Sequence, residues 1–503
     1  MNDMDRMGER NGMETVGGEY VTLPLCEKRV SIESTGEYTL PDYQPEIRRV
    51  LSVTPTVLPP AKYVGGSGVE LSGNVDYSVL YVGADGGLYS MPLSSEYHLT
   101  LPLESAADVD PMGGVTVWSD VASESVQARV SSPKKLSLRC RLRAHVRAFG
   151  RMLMEVRCVG DAPEEQIFRR IGRCQTLSPR SGLSDVISLS CEITGVDEDA
   201  RVVAAEGIPT VQEIRIASED TVSASGELLL KLLVARENGA LETLLRKLPF
   251  SGEVELEGVD AEEEFRGTAT VSELSVEVEE GGRILCAPSL LIEVRGMRNR
   301  EVRYTSDLFS TSCESLCEMQ SIRTPVAIRC EQRNFSQSER IPRSAVALPE
   351  GAEICDAFGS VLFDACEQVG QKYVLTGQSR YTLLCEKDGE YSTAEVSLPI
   401  RYETDAGDRA MESFSCVGNL LSCRARVDGD VLCLDAEISV AAEFCGAEEI
   451  ESVREARFGE SLCQRRSCMT VYYPSDDEDS WAVAKKYRVA PASVSKASAY
   501  YYF

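Results

Sequence analysis

Val69-Glu-Leu-Ser-Gly-Asn-Val-Asp-Tyr-Ser-Val-Leu-Tyr81 places apolar side chains at positions 69, 71, 75, 77, 79 and 81. Side chains of an extended chain point alternately to opposite faces, so this period of two marks a long strand with one buried face. The pattern returns twice. Val222, Ala224, Leu228, Leu230, Leu232 and Val234 form a second run, and Tyr373, Leu375, Tyr381, Leu383 and Cys385 a third. Each run carries a small motif, Ser72-Gly73, Ser225-Gly226 or Thr376-Gly377, and the glycines are 153 and 151 residues apart. The glycine falls on the apolar face, where a missing side chain permits a bend or bulge.

The punctuation around these runs repeats too. Asp85-Gly86, Asn238-Gly239 and Asp388-Gly389 follow the glycines by 13, 13 and 12 residues. Such pairs supply the positive φ angles of a tight hairpin, so each long strand folds back on a partner. Thr56-Val57, Thr210-Val211 and Ser360-Val361 precede the glycines by 16, 15 and 16 residues. A second hairpin turns at Pro133-Lys134, Gly281-Gly282 and Asp428-Gly429, with return strands from Leu136, Ile284 and Val431. Cys26-Glu27, Cys191-Glu192 and Cys330-Glu331 open the three copies at less regular spacing.

The expected fold is mainly β: three tandem, related sandwich-like or barrel-like repeats of about 150 residues, followed by a small α+β tail. The divisions are a flexible tail (1–19), a first repeat (20–155), a connector with helical character from Pro163 to Arg170 (156–184), a second repeat (185–303), a connector (304–323), a third repeat (324–451), a linker (452–468) and a C-terminal segment (469–503).

Composition bounds the function. The 503 residues include 80 acidic and 52 basic ones, a net charge of −28 that repels nucleic acid and anionic membrane. The two histidines, His98 and His145, leave little material for His-based catalysis or zinc binding. The polar segment Met1 to Glu19 has no apolar core, and no membrane-length apolar run follows, so a cytosolic location is expected. The 18 cysteines contain no CxxC pair and often lie in apolar runs, as Cys286 and Cys433 do; they read as buried free thiols. Twelve of them lie from Cys313 onward, where any adventitious site would fall.

In the first repeat, Arg139, Arg141, Arg143 and Arg147 alternate with Leu138, Cys140, Leu142 and Val146, which reads as one solvated and one buried face. An acidic partner for the arginines is the sharper alternative. At the C-terminus, Met469-Thr-Val-Tyr-Tyr-Pro reads as a short strand, Ser475 to Ser480 as an acidic loop, and Ser480-Trp-Ala-Val-Ala-Lys-Lys-Tyr as a helix capped by Ser480 or Asp479. Pro491-Ala-Ser-Val opens a second short helix. Trp481 on such an apolar helical stripe reads as core before ligand contact.

This strand, loop, Trp-x-x-Ala-Lys-x-Tyr-x-Val helix and Pro-x-x-Val resemble the first two-thirds of a LysM domain. Preceded by long β-repeats, the arrangement is similar to the SPOCS-domain proteins of spore-forming Firmicutes, especially clostridia. Leu40-Pro-Asp-Tyr-Gln-Pro-Glu-Ile-Arg-Arg-Val-Leu-Ser-Val53 resembles that family's N-terminal signature, and Asp307-Leu-Phe-Ser-Thr311 its connector after a repeat. The resemblance implies a role in building the spore envelope, with the coat morphogenetic ATPase as protein partner on the mother-cell side of the forespore surface. It places partner binding on Tyr473, Trp481, Lys485, Tyr487 and Val489. The chain departs from the LysM pattern where Asp477-Glu-Asp-Ser480 stands at the helix start and where Ala499-Tyr-Tyr-Tyr-Phe503 leaves little room for the closing strand. Either the module is degenerate, with Tyr500 to Phe503 a shortened strand, or the sequence is truncated; both weigh against glycan binding.

Three functions follow: a structural and interaction protein of the spore envelope, a peptidoglycan- or chitin-binding module, or an enzyme. No Gly-x-Ser-x-Gly, phosphate-binding Gly-x-x-x-x-Gly-Lys or His-Glu-x-x-His motif occurs. Asp428, Asp430 and Asp435 could be drawn as a metal cluster, but Asp428-Gly429 reads as a hairpin turn. No catalytic residue, metal or cofactor is expected, and the first function is preferred.

Overall fold

Alternation and turn chemistry produce the sheets directly. The computed structural model of the chain describes residues 18–66, 68–104, 114–197, 199–236, 239–279, 281–462, 469–473, 478–497 and 500–502. It is 77% strand and 4% helix. The expected tail 1–19 lies outside the described residues up to position 17, as do Asn238 and residues 474–477, which include Asp476 and Asp477 of the acidic loop. Gly86, Gly239, Asp388 and Gly389 adopt positive φ at the hairpin tips.

One strand order runs through three stretches of the chain. In the first, Lys135–Met154 lies between Glu19–Thr39 and Thr116–Ser132 in one sheet. Facing it, Gly68–Gly83 pairs with Leu88–Pro102 on one edge and with Ile47–Val57 and Ala61–Gly65 on the other. In the second, Arg283–Ser310 lies between Glu264–Glu279 and a broken edge of Ile167–Leu183, Ile187–Ser188 and Cys191–Ile193. The facing sheet is Arg201–Ser218, Thr221–Ala235 and Leu241–Glu255. In the third, Val431–Ser461 lies between Cys313–Pro342 and Ser413–Asp428, opposite Glu353–Val369, Lys372–Lys387 and Glu390–Asp405. Apolar faces of the two sheets meet within each stretch: Val75, Tyr77 and Val79 against Leu138, Cys140 and Leu142, and Leu383 against Leu432 and Leu434.

Two of the motif glycines sit where a neighbouring backbone comes close, and the third, Gly73, lies against the Tyr97 side chain. A Cβ at Gly226 would collide with the Thr210 carbonyl, and one at Gly377 with that of Leu362. The bulge lies in the partner strand, between Val211 and Glu213 and between Phe363 and Ala365.

The three sheet pairs close on one another. Leu80, Leu233 and Leu384, one from each middle strand, share a cluster, and Phe149, Met297 and Cys445 share another. The third stretch returns to the first: the Thr393 hydroxyl donates to Leu51 O at 3.1 Å, and Arg29 Nη2 donates to Phe414 O at 2.9 Å.

Three expected boundaries are corrected. The connector 156–184 contains only a 3-10 turn at Glu164–Gln166, and its remainder is largely the strand Ile167–Leu183. The connector 304–323 is strand on both sides of a short break, and the third unit continues past Glu451 to Ser461 rather than passing into a linker at 452. Arginines 169, 170 and 173 blur the alternation of Ile167–Leu183, whose backbone hydrogen bonds go to residues more than a hundred positions away.

Candidate functional site

Charged side chains meet where the three sheet pairs touch. The basic strand Lys135–Met154 turns its apolar face to the core, but its arginines do not share one environment. Arg139 pairs at the surface with Glu33 at 2.6 Å, Arg143 reaches Asp364 of the third stretch, and Arg147 is buried against Glu443. The expectation of a solvated face holds only at the outer end of the strand; further in, the acidic partner is supplied by the chain itself.

Arg147, Arg295 and Glu443 stand on the three long return strands, 148 residues apart at each step. Their cross-strand neighbours are Trp118, Arg266 and Ser415. Asp120 accepts from Arg266 Nη2 at 2.9 Å, from Arg295 Nη1 at 2.9 Å and from the Ser415 hydroxyl. Glu443 accepts from Arg147 and from Arg295 at 3.2 Å, with Arg266 at 3.4 Å. Trp118 lies under the Arg147 guanidinium at 4.9 Å and donates its Nε1 hydrogen to Arg180 O. Three guanidiniums thus surround two carboxylates with almost no solvent contact.

Burial alone would raise both carboxyls. Arg266 and Arg295 instead hold Asp120 well below its usual range, and Arg147, Arg266 and Arg295 lower Glu443. Burial works against the charge of Arg266 and Arg295 as well, yet Asp120 and the neighbouring glutamates raise both. Burial lowers His145 despite its contact with Glu27. Groups locked as ions in this way are suited to fixing geometry, since neither carboxyl is poised to exchange a proton near neutral pH. Close by, Thr22, Thr176 and Thr324 bond in a ring, with 2.5 Å between the Thr176 and Thr324 hydroxyls.

The C-terminal segment forms a second cluster. Val471–Tyr472 and Ser495–Ala497 flank Tyr500–Tyr502 in a small antiparallel sheet, so a short closing strand is present. Asp479 caps the helix Ser480–Tyr487 by accepting from Ala482 N, and Pro491–Ser493 is a single 3-10 turn. The helix lies on the strand Arg283–Ser310: Asp307 accepts from Trp481 Nε1 at 2.8 Å and from Lys485 Nζ at 2.5 Å. Trp481 meets Phe309 edge to face at 5.1 Å, and Arg170 pairs with Asp479 at 2.9 Å.

The five residues expected to bind a partner therefore do not form one surface. Trp481 and Lys485 face the rest of the chain, Tyr487 packs on Tyr472, and the Val489 amide caps the helix through Ala484 O. Tyr473 is 70% exposed. Sequence reasoning missed Asp120, Arg266, Arg295 and Glu443; the equal spacing of 147, 295 and 443 was the available signal. Asp307 was visible within its motif, but its role was not.

All sixteen described cysteines are free thiols. Burial pushes those of Cys445 and Cys174 up to about 11. Among the described residues, no cluster of three His, Cys, Asp or Glu could hold a metal ion, and no helix is long and apolar enough to cross a membrane.

These observations define a mainly β protein whose sheet pairs are joined through buried charge. No protein-family model, curated protein or solved structure matches the chain.

Proposed function

We propose that the chain is a non-enzymatic structural and interaction protein of the spore envelope. It scaffolds partners at the forespore surface on the mother-cell side, and its C-terminal segment engages the coat morphogenetic ATPase. The observation carrying this reading is the contact of Asp307 with Trp481 and Lys485. It joins the connector motif to the LysM-like helix, two elements of the SPOCS-family resemblance that lie 174 residues apart. The charge cluster between sheet pairs supports a rigid scaffold, because its buried ion pairs cross from one sheet pair to the next. A fluorescent fusion in sporulating cells should concentrate at the forespore; uniform signal in vegetative cells without forespore enrichment would sink the idea. Affinity purification with and without residues 469–503 should lose one dominant partner on truncation.

A second reading is glycan binding through the same segment. It is favoured by the pairing of Val471–Tyr472 with Tyr500–Tyr502, which completes a strand, helix, turn and strand order. Retention on purified cell wall that disappears on deleting 469–503 is its test.

A further inference from the structure

The contact beneath the C-terminal helix shows what chemistry that helix accepts. Trp481 and Lys485 are one turn apart on the same face, and their donors converge on the two oxygens of a single carboxylate, Asp307. Two residues further along an extended backbone, Phe309 meets the Trp481 ring edge to face. The occupied motif is thus an acid, any residue, then an aromatic, presented by a strand. Lys485 remains 43% exposed on its side chain while bonded, so a competing carboxylate can approach it from solvent.

We infer that the Asp307-Leu308-Phe309 strand is an internal occupant of a peptide-binding face. A partner protein bearing an extended acidic-x-aromatic segment takes Trp481 and Lys485 by displacing it. This rests on the reading of the C-terminal segment as an interaction module, and it assigns that module its ligand class and its self-blocked resting state. The free protein binds such a partner weakly, because the internal strand competes at the high local concentration of a tethered group. Loosening Asp307 opens the face.

Trp481 reports on this directly. The other tryptophan, Trp118, is 1% exposed and supplies an unquenched baseline. Acrylamide quenching is measured on the full chain, its Asp307→Asn variant and a Trp481→Phe control that assigns the signal. The quenching slope should rise about two-fold or more in Asp307→Asn, as the docked population falls. Circular dichroism should confirm an unchanged sheet content. A synthetic Ser-Asp-Leu-Phe-Ser peptide should then restore protection, whereas Ser-Asn-Leu-Phe-Ser should not. Unchanged quenching in Asp307→Asn overturns the inference, and so does equal action of the two peptides. Neither result bears on forespore localisation, so the scaffold reading fails or survives separately.

Discussion

Glu443 and Asp307 are each gripped by converging donors, yet they sit in opposite settings. Glu443 has no solvent exposure and holds three guanidiniums from two neighbouring sheet pairs. Asp307 is 25% exposed on its side chain and holds two donors of one helix turn. The difference teaches that burial, and not the number of bonds, sets what each contact does. A buried ion pair costs desolvation that its partners must offset, and removing one member leaves the others stranded in a medium that cannot solvate them. A pair at the rim loses little, since water replaces the missing partner. The first arrangement fixes a fold; the second can open.

The largest effect expected is from Glu443→Gln, which takes the carboxylate from Arg147 and leaves Arg266 with Asp120 and Arg295 with Asp120 and Glu293. Unfolding in urea should show a loss of about 3–5 kcal/mol. A loss below about 1 kcal/mol would mean that the cluster does not hold the sheet pairs together.

Acid comes next. Folding lowers the carboxyls of Asp120, Glu443 and Asp307 beneath their ordinary values of 3.8, 4.5 and 3.8. The stability they contribute is therefore complete above those values and is lost as pH falls through the lower folded ones. A pH series of thermal unfolding should be flat near neutrality and drop in that acid range. The drop should be shallower in Glu443→Gln, and a parallel curve in the variant would assign the acid limb to other groups.

Asp307→Asn should shift the whole-chain unfolding midpoint by less than about 1 kcal/mol, even while it frees the C-terminal helix. A larger shift would make the docked segment part of the cooperative core. Glu33→Gln, at the exposed end of the basic strand, should change stability by no more than about 0.5 kcal/mol. Comparing it with Glu443→Gln places the two ends of one strand on a single scale.

The middle strands Gly68–Gly83, Thr221–Ala235 and Lys372–Lys387 were legible in the sequence because their signals are local. Val69 to Tyr81 alternate, and the hairpin tips at Gly86 and Gly389 need φ angles that glycine adopts freely. Ile167–Leu183 was misread as a connector because polar side chains hide its period, and only its partner strand identifies it. Arg139 and Arg147 looked alike in sequence for a related reason. Alternation reports that a side chain leaves the core, but not whether water or Glu443 receives it. The same limit applied to the C-terminal helix: its cap at Asp479 could be read directly, whereas the capture of Trp481 by Asp307 could not.

The sequence by itself determined a mainly β chain, the tips of its hairpins and the acid-rich surface, since each depends on neighbours within a few residues. The tertiary structure alone decided that the sheet pairs close on one another, that three arginines share two buried carboxylates, and that the C-terminal helix rests on Asp307. Those contacts join residues well over a hundred positions apart, and their strength depends on the exclusion of water, which no local pattern of residues reports.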